Sequence, residues 1–392
     1  MGALQQDVLN CFDDLFLDFD SAASKLNIHV NQLYNFKRTG KIGFRTLLKL
    51  SQFFYKAKYH ELMQEWCLKL TTTEAIKHAF EYAAIKRDIP LLEKLLKAHR
   101  MDSNLINYTQ FYQVIYNYML GEFRPQELRN YVNTLKCGKD KELKVLKDIF
   151  SCYCLYFENK YATIVEKASD IEKEIYELSD ARKTFFKECY LIRLSEVFAP
   201  AYLYLKDLSK ARRHAEFLFS SNLSAKTKSD GYYYMGVSFI EEDKKECLRY
   251  IRMSADEAKK TNDLRIAAEA KNTLKLVEGF YSYKEKGEIP QNLPTPKDMI
   301  LGEKNLFLRY FQLIKDGTLS DLACAYSTFT QEFNFLFSSI VVGDMIDAGL
   351  DPLVAAPIKD IQLNYKGEEY FEKDFIGSFI YSGGSASGKF VN

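Results

Sequence analysis

FDSAASKLNIHVNQLYNFKRTGKIGFRTLLKLSQFFY, residues Phe19 to Tyr55, is the stretch from which the rest of the chain is read. It divides into three short helical segments. The first is Ser21 to Leu26, with Asp20 or Ser21 as an N-cap whose side chain accepts from an unpaired backbone N–H. A tight turn follows at Asn27. Val30 to Lys37 is the second and ends at Thr39-Gly40, where glycine closes a helix without steric cost. Phe44 to Tyr55 is the third, with Phe44, Leu47, Leu48, Leu50 and Phe54 close to helical spacing. Two helices that cross tightly need a small residue at the crossing. They need a residue tolerant of positive φ four positions later, then apolar residues six and nine positions beyond the turn. Ala23, Asn27, Leu33 and Phe36 fill those places. Asparagine is among the non-glycine residues that enter the left-handed region most readily. The pattern is that of a helix-turn-helix.

Charge points the same way. Residues 1 to 20 hold five aspartates and no base. Residues 21 to 60 hold Lys25, Lys37, Arg38, Lys41, Arg45, Lys49, Lys56 and Lys58, and no acid. The chain carries 53 acids and a net charge of +1, so this segment, at about +8, is a local electrostatic footprint for phosphates. The docking geometry of the motif puts the start of its second helix in the major groove. His29, Val30, Asn31, Gln32, Tyr34 and Asn35 are the candidate groove-facing residues, with Ser21 of the first helix a further candidate DNA contact. Asn and Gln can hold adenine with two hydrogen bonds, and Val30 can meet a thymine methyl. Lys37, Arg38, Lys41 and Arg45 are the candidate phosphate contacts. A small basic domain that binds an acidic protein is the alternative.

From Tyr59 onward apolar helical stretches alternate with short polar breaks. Second helices of a repeating pair are expected near Pro90, Pro125 and Lys160, 35 residues apart, and again near Ser209 and Lys244, with one more near Ser320. A 35-residue helix pair is the period of tetratricopeptide-like arrays, in which neighbouring repeats stack to bury faces that no single repeat can cover. The interval from Lys160 to Ser209 is 49 residues and implies a longer helix or an insertion. The fold class expected is therefore all-α: an N-terminal helix-turn-helix followed by a degenerate tetratricopeptide-like superhelical array.

Little else in the chain carries chemistry. The histidines, His29, His60, His78, His99 and His214, have no metal-ligand spacing, and no nucleophile or dinucleotide motif occurs. No catalytic residue, metal or cofactor is expected. The eight cysteines contain no C-x-x-C pair and read as reduced core residues of a cytoplasmic protein. No secretory pattern is expected before residue 20. The longest apolar run, Phe333 to Val342, is too short to span a bilayer. Trp66 sits at core spacing. The glycine-rich SGGSASGK near the end lacks P-loop spacing.

A helix-turn-helix followed by degenerate tetratricopeptide repeats resembles the peptide-pheromone receptors of low-GC Gram-positive bacteria and their phages. The segment YHELMQEWCLKLTTTEAIKHAFEYA, Tyr59 to Ala83, is similar to the AimR-like arbitrium receptors of temperate phages. The resemblance runs from about residue 15 to about 280. It implies a dimeric transcription regulator of a lysis–lysogeny locus, with double-stranded DNA and a short signalling peptide as partners and no membrane. The family holds its peptide with Asn and Arg side chains on inner helices. Here the segment around Ala199-Pro200-Ala201 lacks those asparagines, and Lys226 stands where an arginine is wanted. Arg193, Glu196, Lys226, Tyr233, Arg265, Glu269 and Asn272 are the candidates that substitute. The organisation expected is a DNA-binding domain over 1–57 and a peptide-binding array over 58–280. A Pro-rich connection over 281–299, helical repeats for dimerisation over 300–365 and a flexible tail over 366–392 complete it. An interaction protein that regulates a partner without reading DNA is the competing expectation.

Overall fold

The computed structural model describes residues 2–56, 58–122, 124, 127–178, 184–221, 223–261, 263–299 and 305–359. Regular structure among those residues is helical, with no strand. The helices are α1 (Ala3–Asp14), α2 (Phe19–Leu26), α3 (Asn31–Thr39), α4 (Phe44–Phe54), α5 (Tyr59–Leu68), α6 (Thr73–Ile85) and α7 (Ile89–Ala98). Next come α8 (Ile106–Leu120), α9 (Leu128–Thr134), α10 (Lys141–Phe157), α11 (Tyr161–Glu166), α12 (Ala168–Tyr176), α13 (Thr184–Tyr204) and α14 (Leu208–Ser220). The last are α15 (Ala225–Ser238), α16 (Lys244–Ala258), α17 (Leu264–Lys286), α18 (Leu306–Ile314), α19 (Leu319–Gln331), α20 (Phe335–Asp347) and α21 (Pro352–Lys359). The chain forms two compact units, one of residues 1–148 and 174–190 and the other of residues 149–173 and 191–392. The expected tail over 366–392, with SGGSASGK, lies outside the described residues.

In the first unit, α2 begins at Phe19, two residues before the expected start. Asp18 caps it by accepting from the Ser21 N–H at 2.7 Å, in place of the expected Asp20 or Ser21. Asn27 takes the left-handed conformation, φ 49° and ψ 55°. Ala23, Leu33 and Phe36 are buried, so the spaced quartet does the packing expected of it. Gly40 ends α3 at φ 68°. Helix α1 was not anticipated, although Leu4, Val8, Cys11 and Phe12 lie on one helical stripe and are buried. Its Gln5 is buried and donates to the carbonyls of Phe36 and Lys37, satisfying acceptors that the end of α3 leaves open. Helix α4 packs Phe44 against His78, Tyr82 and Phe185. Trp66 is fully buried, edge-on to Phe54.

The repeat period is visible in the helix starts. Helices α7, α11, α14, α16 and α19 begin at Ile89, Tyr161, Leu208, Lys244 and Leu319, each within a residue of its expected place. The N-caps Asp88, Asp207, Asp243 and Thr318 fix four of those starts by accepting backbone N–H bonds. Pro125 lies outside the described residues, and α9 begins at Leu128. The 49-residue interval holds the additional helix α12 and the 21-residue α13. In the second unit α14, α15 and α16 pack closely. A Cβ on Gly231 would lie 2.7 Å from the Ala215 carbonyl, so only glycine allows α15 this near α14. Helix α17 runs through Tyr281 to Lys286 and ends at Gly287, φ 72°, before the Pro-rich stretch. Among the described residues no helix is long and apolar enough to cross a membrane.

Candidate functional site

Two groups of polar side chains stand out, one in each unit. The first is the outer face of α2 and α3. His29, Asn31, Gln32, Tyr34, Asn35, Lys37, Arg38 and Lys41 are all exposed, and Ser21 and Val30 are half-buried. The buried Leu33 and Phe36 alternate with them at helical spacing, which is why the polar positions of α3 point outward. The backbone N–H of Asn31 donates to His29 Nδ1 at 3.2 Å, which leaves Nε2 as the imidazole's proton-bearing nitrogen. Gln32 accepts from the Thr46 hydroxyl at 3.0 Å, and Asn35 accepts from Arg38 at 3.1 Å. These bonds pre-set the amides in direction. Tyr34 donates to Asp20 at 3.2 Å, and the Asp20 carboxylate raises the pKa of that phenol. Lys37 lies over the Phe19 ring, 5.8 Å from its centroid.

Arg45 departs from the expectation that placed it with Lys37, Arg38 and Lys41. Its guanidinium is 2.6 Å from a Glu188 carboxylate whose side chain is 3% exposed. A buried carboxylate requires a counter-charge, and Arg45, next to the packed Phe44, supplies it. Burial pushes the Glu188 pKa up to about 7, against the pull of Arg45 and Lys49. Lys49 donates to the Leu26 carbonyl at 3.0 Å, tying α4 to the end of α2. Burial first, then Arg45, lowers its pKa. Lys49 thus ties the three-helix segment within itself, and Arg45 ties it to α13.

The second group lies on α10, α11, α13 and α15. Glu196 accepts from the Tyr153 hydroxyl at 2.5 Å and from the Thr227 hydroxyl at 2.9 Å. Arg193 is buried, with its guanidinium 5.8 Å from the Phe150 centroid, and its carbonyl accepts from Tyr153. Lys226 pairs with Asp230 one turn along α15. Tyr233 packs edge-on to Tyr234, and burial first, with Glu269 among the charges near it, raises its pKa. The hydroxyls of Tyr156 and Tyr204 are 3.2 Å apart, and Tyr161 packs edge-on to Tyr204. Of the expected set, Glu196 thus joins a hydroxyl-rich group, with Arg193 against the same Tyr153. Arg265 is turned to its own N-cap Asp263 at 2.9 Å, and the Asn272 amide donates to the Asp298 carbonyl. Tyr153, Tyr156, Tyr204, Thr227 and Tyr234 were not singled out from the sequence. Their signal was the density of tyrosine itself, which periodicity counts as core.

Neither group resembles a catalytic centre. Ser195 Oγ lies 3.1 Å from His214 Nδ1, but both are buried. Burial, with Arg213 and Lys210, takes the His214 pKa down to about 3, too low for a general base. Among the described residues no group of His, Cys, Asp and Glu is placed to hold a metal ion.

The family model described as AimR transcriptional regulator-like matches residues 59–296. No curated protein matches the sequence. Among solved structures, the selenomethionine form of phAimR is similar over 91% of this chain and 100% of its own, at 18% identity and a TM-score of 0.63. A phAimR–ligand structure is similar over 78% of this chain and 97% of its own, at 17% identity and a TM-score of 0.58. At such identities the likeness is one of fold. The family is one of regulators, not enzymes.

Proposed function

The chain belongs to the AimR transcriptional regulator-like family, and on that premise we propose that it is a cytoplasmic DNA-binding regulator switched by a short signalling peptide. In this reading it acts as a homodimer, as an arbitrium receptor that governs the lysis–lysogeny decision of a temperate phage. The supporting observation is the exposed face of α3 and the turn after it, with Lys37, Arg38 and Lys41, within residues 21–60, which hold no acid. Lys37, Arg38 and Lys41 hold phosphates, while Asn31, Gln32 and Asn35 meet base edges from the start of α3. Arg45 is left to its structural pairing with Glu188.

The group around Glu196 is the proposed peptide site. Phenols and a threonine hydroxyl both donate and accept, which suits the alternating N–H and C=O of a peptide backbone. Glu196 suits a positive group on that peptide, and Arg193 its carboxylate. A peptide alters DNA binding only if it favours one conformation of the array over another. The test uses short synthetic peptides encoded beside the gene. The cognate one raises the melting temperature of the parent chain, by an amount set by about 2.7 kcal/mol at one hundred times its Kd. Glu196→Ala abolishes that rise. If no such peptide stabilises the parent, the ligand half of this reading fails.

A further inference from the structure

The end of α1 carries Asp13 and Asp14, and the turn that follows it carries Leu15 and Phe16. The Phe16 side chain is 96% exposed, the most exposed large apolar residue among those described. Its backbone sits at φ 52°, a region that bulky residues avoid. Two backbone bonds hold it there. The Phe16 N–H donates to the Asp13 carbonyl at 3.1 Å, and the Leu17 N–H donates to the Phe12 carbonyl at 2.9 Å. These close α1 in the manner usually given to glycine, and they hold the backbone that carries the exposed ring. Leu15 beside it is 38% exposed.

A second patch adjoins the first. The end of α4 presents Tyr55, 40% exposed, with Lys56 and Lys58, both exposed. The Phe12 ring of α1 packs edge-on to Phe54 of α4 at 5.0 Å, which sets the two patches side by side. Cys11 and, more weakly, Asp14 lie close enough to the Tyr55 hydroxyl to raise its pKa. Among the described residues Asp13, Asp14, Lys56 and Lys58 enter no ion pair. An acidic–apolar knob beside a basic–aromatic ledge is complementary to its own copy under two-fold rotation, because each knob then meets the other's ledge. Knob against knob would set four aspartates together. Phosphates are excluded from the knob by the same acids.

We propose that this face is where the N-terminal segments of two copies of the chain meet, with Asp13, Asp14 and Phe16 of one on Tyr55, Lys56 and Lys58 of the other, and reciprocally. The contact leaves the α3 amides uncovered and would limit the spacings two α3 helices can adopt. It goes beyond the homodimer proposed above by locating a contact, and it holds whether or not α3 binds DNA.

The test mixes two full-length variants, Phe16→Cys and Lys56→Cys, both carrying Cys324→Ser to remove the exposed native thiol. Under mild oxidation a 16–56 link can then form only between chains. The expected result is a 16–56 disulfide as the main cross-linked species, identified by mass spectrometry of the linked peptides. Adding Asp13→Lys/Asp14→Lys to the first variant lowers its yield at least ten-fold, and Lys58→Glu on the second restores it. Absence of the link in a chain that sediments as a dimer overturns the proposed contact and leaves the homodimer intact. A chain that sediments as a monomer overturns both.

Discussion

The α2–α3 face and the group around Glu196 are both polar, but they are built in opposite ways. The first is open and charged, and it stands on a small core of Ala23, Leu33 and Phe36, all buried. Its amides are aimed by single bonds to neighbours such as Thr46 and Arg38. The second is a part-buried cluster of phenols around one carboxylate, and Glu196 takes bonds from two different helices, α10 and α15. An open charged face suits a large polyanion that approaches from solvent and is held by many weak, screened contacts. A part-buried cluster of hydroxyls suits a small ligand held by a few aimed bonds.

The largest expected effect removes the support of the open face. Phe36→Ala costs about 3–5 kcal/mol, the range for emptying a fully buried aromatic position, and is read by urea unfolding. Affinity for any DNA should fall with it, while the response to a peptide at Glu196 should persist. If both are lost together, the two regions do not act separately. A smaller effect separates base reading from phosphate holding. The Asn31→Ala/Asn35→Ala variant loses about 10- to 100-fold in affinity for a preferred duplex and keeps its affinity for unrelated DNA. Equal losses on both would remove the base-reading role from these amides.

The smallest effect concerns the pairing of Arg45 with Glu188. The Glu188 pKa of about 7 lies above its usual 4.5. A carboxyl raised on folding contributes stability that is complete below its unfolded pKa and is lost as pH rises through the folded one. The melting temperature therefore falls by a few degrees between pH 5 and pH 8, and Glu188→Gln flattens that dependence. A parent and variant with equal slopes would show that Glu188 ionises freely.

The two regions also differ in how far the sequence disclosed them. Lysines and arginines cannot be mistaken for core, so an acid-free run of 40 residues was visible at once, and the Ala23–Asn27–Leu33–Phe36 spacing gave it geometry. Even there the sequence could not tell Arg45 from Lys41, because Arg45's role depends on Glu188, 143 positions away. The group around Glu196 was mostly hidden. Tyr153, Tyr156 and Tyr204 read as apolar in any periodicity, and only packing shows where a phenol's hydroxyl emerges. Helix α1 was less legible, because Asp7, Asp13 and Asp14 interrupt the stripe of Leu4, Val8, Cys11 and Phe12 and no basic residue closes its last turn. The repeat phase was legible because caps and breaks recur at fixed intervals, whereas the inserted α12 left only an irregular gap.

The central claim is that the open face binds DNA through its phosphates. It is tested most directly by measuring affinity for one duplex across a range of salt, for the parent and for Lys37→Gln/Arg38→Gln/Lys41→Gln. The account predicts that log K falls linearly with log salt for the parent, and that the slope is shallower by up to about 3 in the triple variant. Identical slopes for the two proteins would contradict it.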